Sequence, residues 1–131
     1  MRVLLDTSYL YDLMETSGKF SESERRVFSE QDADIYVSAV SIWEMRLKYR
    51  ARHPSGRRKS PFNPNDVVSM VEGQRLTILP VTMKHAAREL ESPIPHKDPF
   101  DELLLAQAQE EGLRLLTADR QLIQHPLAIT A

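Results

Sequence analysis

The chain has 131 residues and a mass of 15.1 kDa, enough for one domain that buries about two thirds of its unfolded surface. Apolar residues make up 41% and charged residues 27%, which excludes wholesale disorder, and the lack of cysteine excludes disulfide scaffolds, thiolate zinc sites and cysteine nucleophiles. The net charge of −2 hides an uneven distribution: residues 1–45 carry −5, residues 46–60 carry +7 without a single acid, and residues 61–131 carry −4.

Residues 2–6 form a short apolar run ending on Asp6, which predicts a buried strand. Residues 8–15 follow with a weak helical pattern on Leu10, Leu13 and Met14, and residues 22–31 are polar and helix-permissive. Residues 34–37 predict a second buried strand. A helix is expected over 41–52, with Ile42, Met45 and Tyr49 on one face; Ser41 and Glu44 have capping-box spacing, and Pro54 and Gly56 end it. After a turn at 61–64, Asn63 or Asn65 caps a helix over 66–73. Residues 76–79 predict a third strand, and Thr82 caps a helix reaching residue 90. Pro93 and Pro95 stiffen the loop over 92–96. The clearest helix spans 99–111, with Gly112 as its stop. A fourth strand at 114–117, a short helix at 119–123 and a fifth, edge strand at 127–130 complete the chain.

Strands alternating with helices predict an α/β fold: a mostly parallel sheet of four to five strands covered on both faces. In such sheets the functional crevice lies beyond the carboxyl ends of the strands, and acids stand there. Asp6 ends the first strand, Glu44 sits on the first turn of the helix after the second, Asp98 and Asp101 open the helix before the fourth, and Asp119 follows the fourth. Singly, each has a capping role: Asp98, Pro99 and Asp101 make a near-ideal helix start. Together, at nearly every helix start on one side of the sheet, they need a compensating charge that a hard divalent cation supplies. Lys48, four residues after Glu44, either orients it or touches a phosphate. His96 lies beside the acids in sequence and is a candidate substrate contact. No glycine-rich phosphate loop, histidine metal motif or serine nucleophile elbow is present.

Three stretches and their spacing carry a resemblance: Leu4-Leu5-Asp6-Thr7-Ser8, Val37-Ser38-Ala39-Val40-Ser41-Ile42-Trp43-Glu44, and His96-Lys97-Asp98-Pro99-Phe100-Asp101 running on to Ala108. With Leu115-Leu116-Thr117-Ala118-Asp119, the chain resembles the PIN-domain ribonucleases of the VapC toxin type over nearly its whole length. The resemblance implies a PIN-like three-layer α/β/α sandwich and Mg²⁺- or Mn²⁺-dependent endonucleolytic cleavage of RNA. It maps the family's acidic quartet onto Asp6, Glu44, Asp101 and Asp119, leaves Asp98 as an alternative metal ligand, and places hydroxyls beside the metal at Thr7 and Thr117. It also implies a homodimer and a cognate antitoxin, with two uses for the basic stretch 46–59: guiding RNA or shaping the groove beside it. The Arg- and Pro-bearing insert around 53–64 departs from the family pattern.

Rival readings are weaker. An aspartyl-phosphate mechanism through Asp6 wants a second acid two residues on, where Ser8 stands. A receiver-like Mg²⁺-binding module and a degenerate PIN module without turnover are the non-enzymatic alternatives. No apolar run approaches the roughly 18 residues of a membrane span. Asp6 interrupts the only early apolar stretch, so no signal peptide is read, and a cytoplasmic location is expected.

Overall fold

The computed structural model describes residues 1–15, 20–30, 33–94 and 97–131. Five strands form one parallel sheet in the order β3-β2-β1-β4-β5: β1 (Arg2–Leu5), β2 (Asp34–Ser38), β3 (Thr77–Leu79), β4 (Arg114–Leu116) and β5 (Ala128–Ile129). The chain winds outward from β1 through β2 to β3, then crosses back to lay β4 on the other side of β1. The switch point of the winding therefore lies between β1 and β4, where such folds place their sites.

Successive strand residues face opposite layers, as the pleat requires. Val3, Leu5, Ile35, Val37 and Leu116 pack with Tyr9, Leu10, Val27, Met45, Val67 and Val71 from α1 (Thr7–Met14), α2 (Glu22–Ser29), α3 (Ala39–Arg50) and α4 (Pro64–Glu72). Leu4 and Leu115 face the other way, onto Leu104, Leu105 and Ala108 of α6 (Pro99–Glu111). Five-residue α5 (Met83–Ala87) lies against α6. Each buried leucine contributes about 1.5–3 kcal/mol, more than one net hydrogen bond, so the two apolar stripes of the sheet fix which side each helix takes. This is the expected α/β/α sandwich.

Local chemistry sets the element ends. Asp6 caps α1, Asn63 caps α4 ahead of Pro64, and Asp98 caps α6 ahead of Pro99. Gly112 closes α6 in the left-handed region at φ 69°. Four expectations need correction. Ser38, not Ser41, caps α3 by accepting from Val40 N–H at 3.0 Å, because β2 hands straight into the helix; Glu44 thus stands on the second turn and Ser41 in the interior. The helix capped by Thr82 ends at Ala87 rather than residue 90. The side chain of Gln109 on α6 holds the next segment extended, donating to Glu89 O at 2.8 Å and accepting from Glu91 N–H at 2.9 Å. Residues 119–123 form turns rather than a helix, since Pro126 lacks an N–H and His125 ties the segment to Ser92 O at 2.8 Å. The expected helix over 22–31 ends at Ser29, and its last position, residue 31, lies outside the described residues. Among the described residues, no helix is long and apolar enough to cross a membrane.

A β-carbon at Gly112 meets no neighbour, so replacement there costs backbone strain alone. Gly112→Ala is expected to lower stability by about 1 kcal/mol, read as a fall in urea midpoint with an unchanged denaturant slope.

Candidate active site

The carboxyl ends of β1, β2 and β4 open into a cleft of about 470 Å³. Asp6, Asp12, Glu44, Asp98, Asp101 and Asp119 line it, with Lys48 the one base among the described residues of the lining. Thr7, Ser8 and Tyr11 from α1 and Ala118 complete the wall. Acids separated by up to 113 positions in sequence are thus brought together by the winding of the sheet.

Asp6 is buried and doubly anchored. One oxygen accepts from Thr7 N–H at 2.8 Å as the α1 cap, and the other from the Thr117 hydroxyl at 2.7 Å. That second bond spans the switch point between β1 and β4. The same Thr117 oxygen accepts from Asp119 N–H at 3.0 Å, so one hydroxyl fixes both acids. Asp119 also accepts from Gln121 N–H at 2.9 Å, and it is less buried than Asp6. The Thr7 hydroxyl pairs with Ser41 Oγ at 2.8 Å and so ties α1 to α3, which carries Glu44.

Glu44 is buried, with Lys48 Nζ donating to its Oε2 at 2.6 Å. Its Oε1 is buried with no hydrogen-bond partner. Burial pulls the Lys48 ammonium down, but the adjoining Glu44 carboxylate outweighs this and raises it above its ordinary value. Asp98 is the N-cap of α6, accepting from Phe100 N–H at 2.9 Å and Asp101 N–H at 3.2 Å. Asp101, one turn on, is buried; desolvation first, then the charges of Asp6, Asp98, Glu44 and Asp119, push its carboxyl up to about 7. Asp6 is raised for the same first reason, with Glu44 and Asp119 adding to burial against the hydrogen bonds of Thr117 and Thr7.

The structure therefore brings Asp6, Glu44, Asp98, Asp101, Asp119, Thr7 and Lys48 to one cleft, with Thr117 directly behind Asp6. His96 lies outside the described residues. The capping-box alternative for Glu44 is overturned, because Ser41 bonds Thr7 and Ser38 caps the helix. Tyr11 and Asp12 join the wall without having been expected there; the i, i+4 spacing of Ser8 and Asp12 just after Asp6 is the sequence signal that points to them.

An all-oxygen donor set, a buried Glu44 oxygen with no hydrogen-bond partner among the described residues, and an Asp101 carboxyl pushed up to about 7 by burial first and then by neighbouring charges fit a hard divalent cation in kind. Their spacing is open: among the described residues, no three acids or histidines are grouped closely enough to hold an ion. Both Asp6 oxygens are instead taken up by Thr7 and Thr117, and one Glu44 oxygen by Lys48. A second groove, of about 520 Å³ between α3, α4 and β3, is walled by apolar side chains such as Ile42, Trp43, Val71 and Ile78 and has no such cluster.

A family model described as PIN domain matches residues 3–126. The fold is similar to VapBC2 from Rickettsia felis, bound to a DNA fragment from its promoter, with a TM-score of 0.62 and 16% identity over 100% of this chain and 98% of that one. It is also similar to a toxin–antitoxin complex from Klebsiella pneumoniae, with a TM-score of 0.62 and 20% identity over 98% and 96% of the two chains. No curated protein matches the sequence.

The raised Asp101 carboxyl has a stability consequence. Its folded value of about 7 exceeds the ordinary 3.8, so between these pH values the folded chain keeps a proton the unfolded chain has released. Stability then falls as pH rises through that window and levels off above it. In chelator, Asp101→Asn is expected to raise the urea midpoint at pH 8 and to change it little at pH 4, a difference on the order of 1–3 kcal/mol.

Proposed function

Because the chain belongs to the PIN domain family, we propose that it is a metal-dependent endoribonuclease of the VapC toxin type, which hydrolyses RNA phosphodiester bonds and is held in check by a cognate antitoxin. The observation that carries this reading is the acid cleft at the switch point, where six carboxylates meet one lysine. Such a site repels the phosphate backbone unless a cation intervenes, and with one it becomes a phosphate-transfer centre. The toxin–antitoxin complexes among the similar folds support the partner class. Homodimerisation belongs to the proposal on the strength of the sequence resemblance, and the cytoplasmic location expected from the sequence belongs to it as well.

Mg²⁺ or Mn²⁺, when bound, supplies the positive charge that polarises the phosphate and lowers the pKa of an attacking water. Asp6, Asp101 and Asp119 offer the oxygens that would hold it. Asp98 keeps its capping role and lines the same cleft. Thr117 and Thr7 restrict Asp6 to one orientation, so little rotamer freedom is lost on loading. Glu44 would orient the water or accept its proton, and Lys48 offsets the charge on its Oε2. Water oxygen bonds to phosphorus, the bond from phosphorus to the 3′ oxygen breaks, and that oxygen takes a proton. The products are 5′-phosphate and 3′-hydroxyl ends.

Incubating a long RNA with the protein and Mg²⁺ should yield such fragments. Asp6→Asn should cut about a hundredfold more slowly or worse, and chelator should abolish cutting. Equal cleavage by Asp6→Asn would discard this mechanism, and no cleavage by the native protein would favour a binding module without turnover. In a separate readout, Mn²⁺ at a hundred times its Kd should stabilise the native protein by about 2.7 kcal/mol in thermal denaturation, with most of that gain lost in Asp6→Asn.

A further inference from the structure

We propose that the basic hairpin following α3 is a track for the sugar-phosphate backbone of a single RNA strand, continuing from the acid cleft; the identity of the polyanion rests on the nuclease reading. Residues 52 and 58 pair as an antiparallel bridge. His53 N–H donates to Arg57 O at 2.9 Å, Gly56 N–H to His53 O at 2.8 Å and Lys59 N–H to Ala51 O at 3.0 Å. Gly56 makes the turn at φ 86°, in the left-handed region. The sequence expectation of a simple helix stop here thus becomes an ordered hairpin.

Its bases divide into two groups. Arg58 lies over the Tyr49 ring, 4.1 Å from its centroid, and donates to Tyr49 O at 2.8 Å; Arg52 donates to Gly56 O at 3.0 Å. These two stiffen the hairpin. Arg57 and Lys59, together with Arg50 at the last position of α3, are exposed, and no ion pair engages them among the described residues. Cations in the last turn of α3 are explained by the helix dipole, but the dipole does not reach the hairpin beyond it.

Two observations direct this charge to the cleft. Phe62, just past the hairpin, packs its ring 6.1 Å from that of Tyr11, a wall residue of the cleft. Helix α3 carries Glu44 into the cleft and ends at the hairpin, about 9 Å further along its axis. Phosphates held there belong to nucleotides beyond the one being cut. Residues 51–60 contain no large apolar side chain, so the hairpin lacks the apolar centre that a protein interface needs. Contacts of this kind position a strand without reading its bases.

The test is the variant carrying Arg50→Gln, Arg57→Gln and Lys59→Gln, which leaves Arg52, Arg58 and every cleft residue in place. Binding of a fluorescein-labelled, unstructured 20-nucleotide RNA is followed by anisotropy in chelator over a salt series. Three lost phosphate contacts should lower the slope of log affinity against log salt by about 2 and weaken binding about tenfold or more at 0.1 M salt. With Mg²⁺, KM for that RNA should rise with kcat unchanged, while a trinucleotide too short to reach the hairpin should be cut equally by both proteins. An unchanged salt slope in a variant of native melting temperature overturns the track. So does unchanged RNA binding combined with loss of a co-purifying protein partner, which would make the hairpin a protein-docking element. If the native protein binds the RNA through this slope but never cuts it, the nuclease reading fails and the track stands.

Discussion

Like charges crowd the carboxyl end of the sheet, and the backbone holds them there against their repulsion. Asp6 and Asp98 are fixed because each caps a helix that the core needs, a role worth about 1 kcal/mol apiece. Asp119 is fixed through the hydroxyl that also binds Asp6, and Glu44 rides on a helix buried by Met45. The strain shows in Asp101, the acid that all the others surround, whose carboxyl keeps its proton to near neutrality. A protein selected for stability alone would dilute this cluster. Its place in a cleft, beside a buried carboxylate oxygen without a hydrogen-bond partner among the described residues, is what the proposed chemistry rests on.

What the sequence makes legible is what local physics decides. The Asp98-Pro99 start and Gly112 stop bound α6 to the residue, and apolar runs locate β1, β2 and β4. The convergence of the acids follows from the alternation of strands and helices together with the rule for parallel sheets. Several of the failures trace to a partner distant in sequence. Gln109 holds residues 89–91 extended from 18 to 20 positions away, so no local pattern reveals where α5 ends. Ser38 and Ser41 both suit a helix start, and the choice falls to Ser38 because the hydroxyl of Ser41 is claimed by Thr7, 34 positions away. Tyr11 and Asp12 read as part of an ordinary amphipathic helix until the fold turns that face to the cleft.

Helix α3 joins the two electrostatic halves of the molecule. Its middle presents Glu44 among the acids, and its end delivers the chain to the one concentrated run of positive charge in the sequence. Lys48 stands where the sign changes, paired to Glu44 yet partly open to solvent. A polyanion approaching this surface meets attraction before repulsion, and its closest approach to the acids depends on screening of their charge.

Either oxygen of the Thr7–Ser41 hydroxyl pair can act as the donor. Each hydroxyl rotates about its own bond, so the pair can reverse its dipole while every heavy atom stays still. Under the proposed function, in which the cleft's charge changes as protons leave and a cation arrives, such a rotor is an advantage. It answers the altered field by reorienting two hydrogens, and the seam between α1 and α3 stays closed throughout.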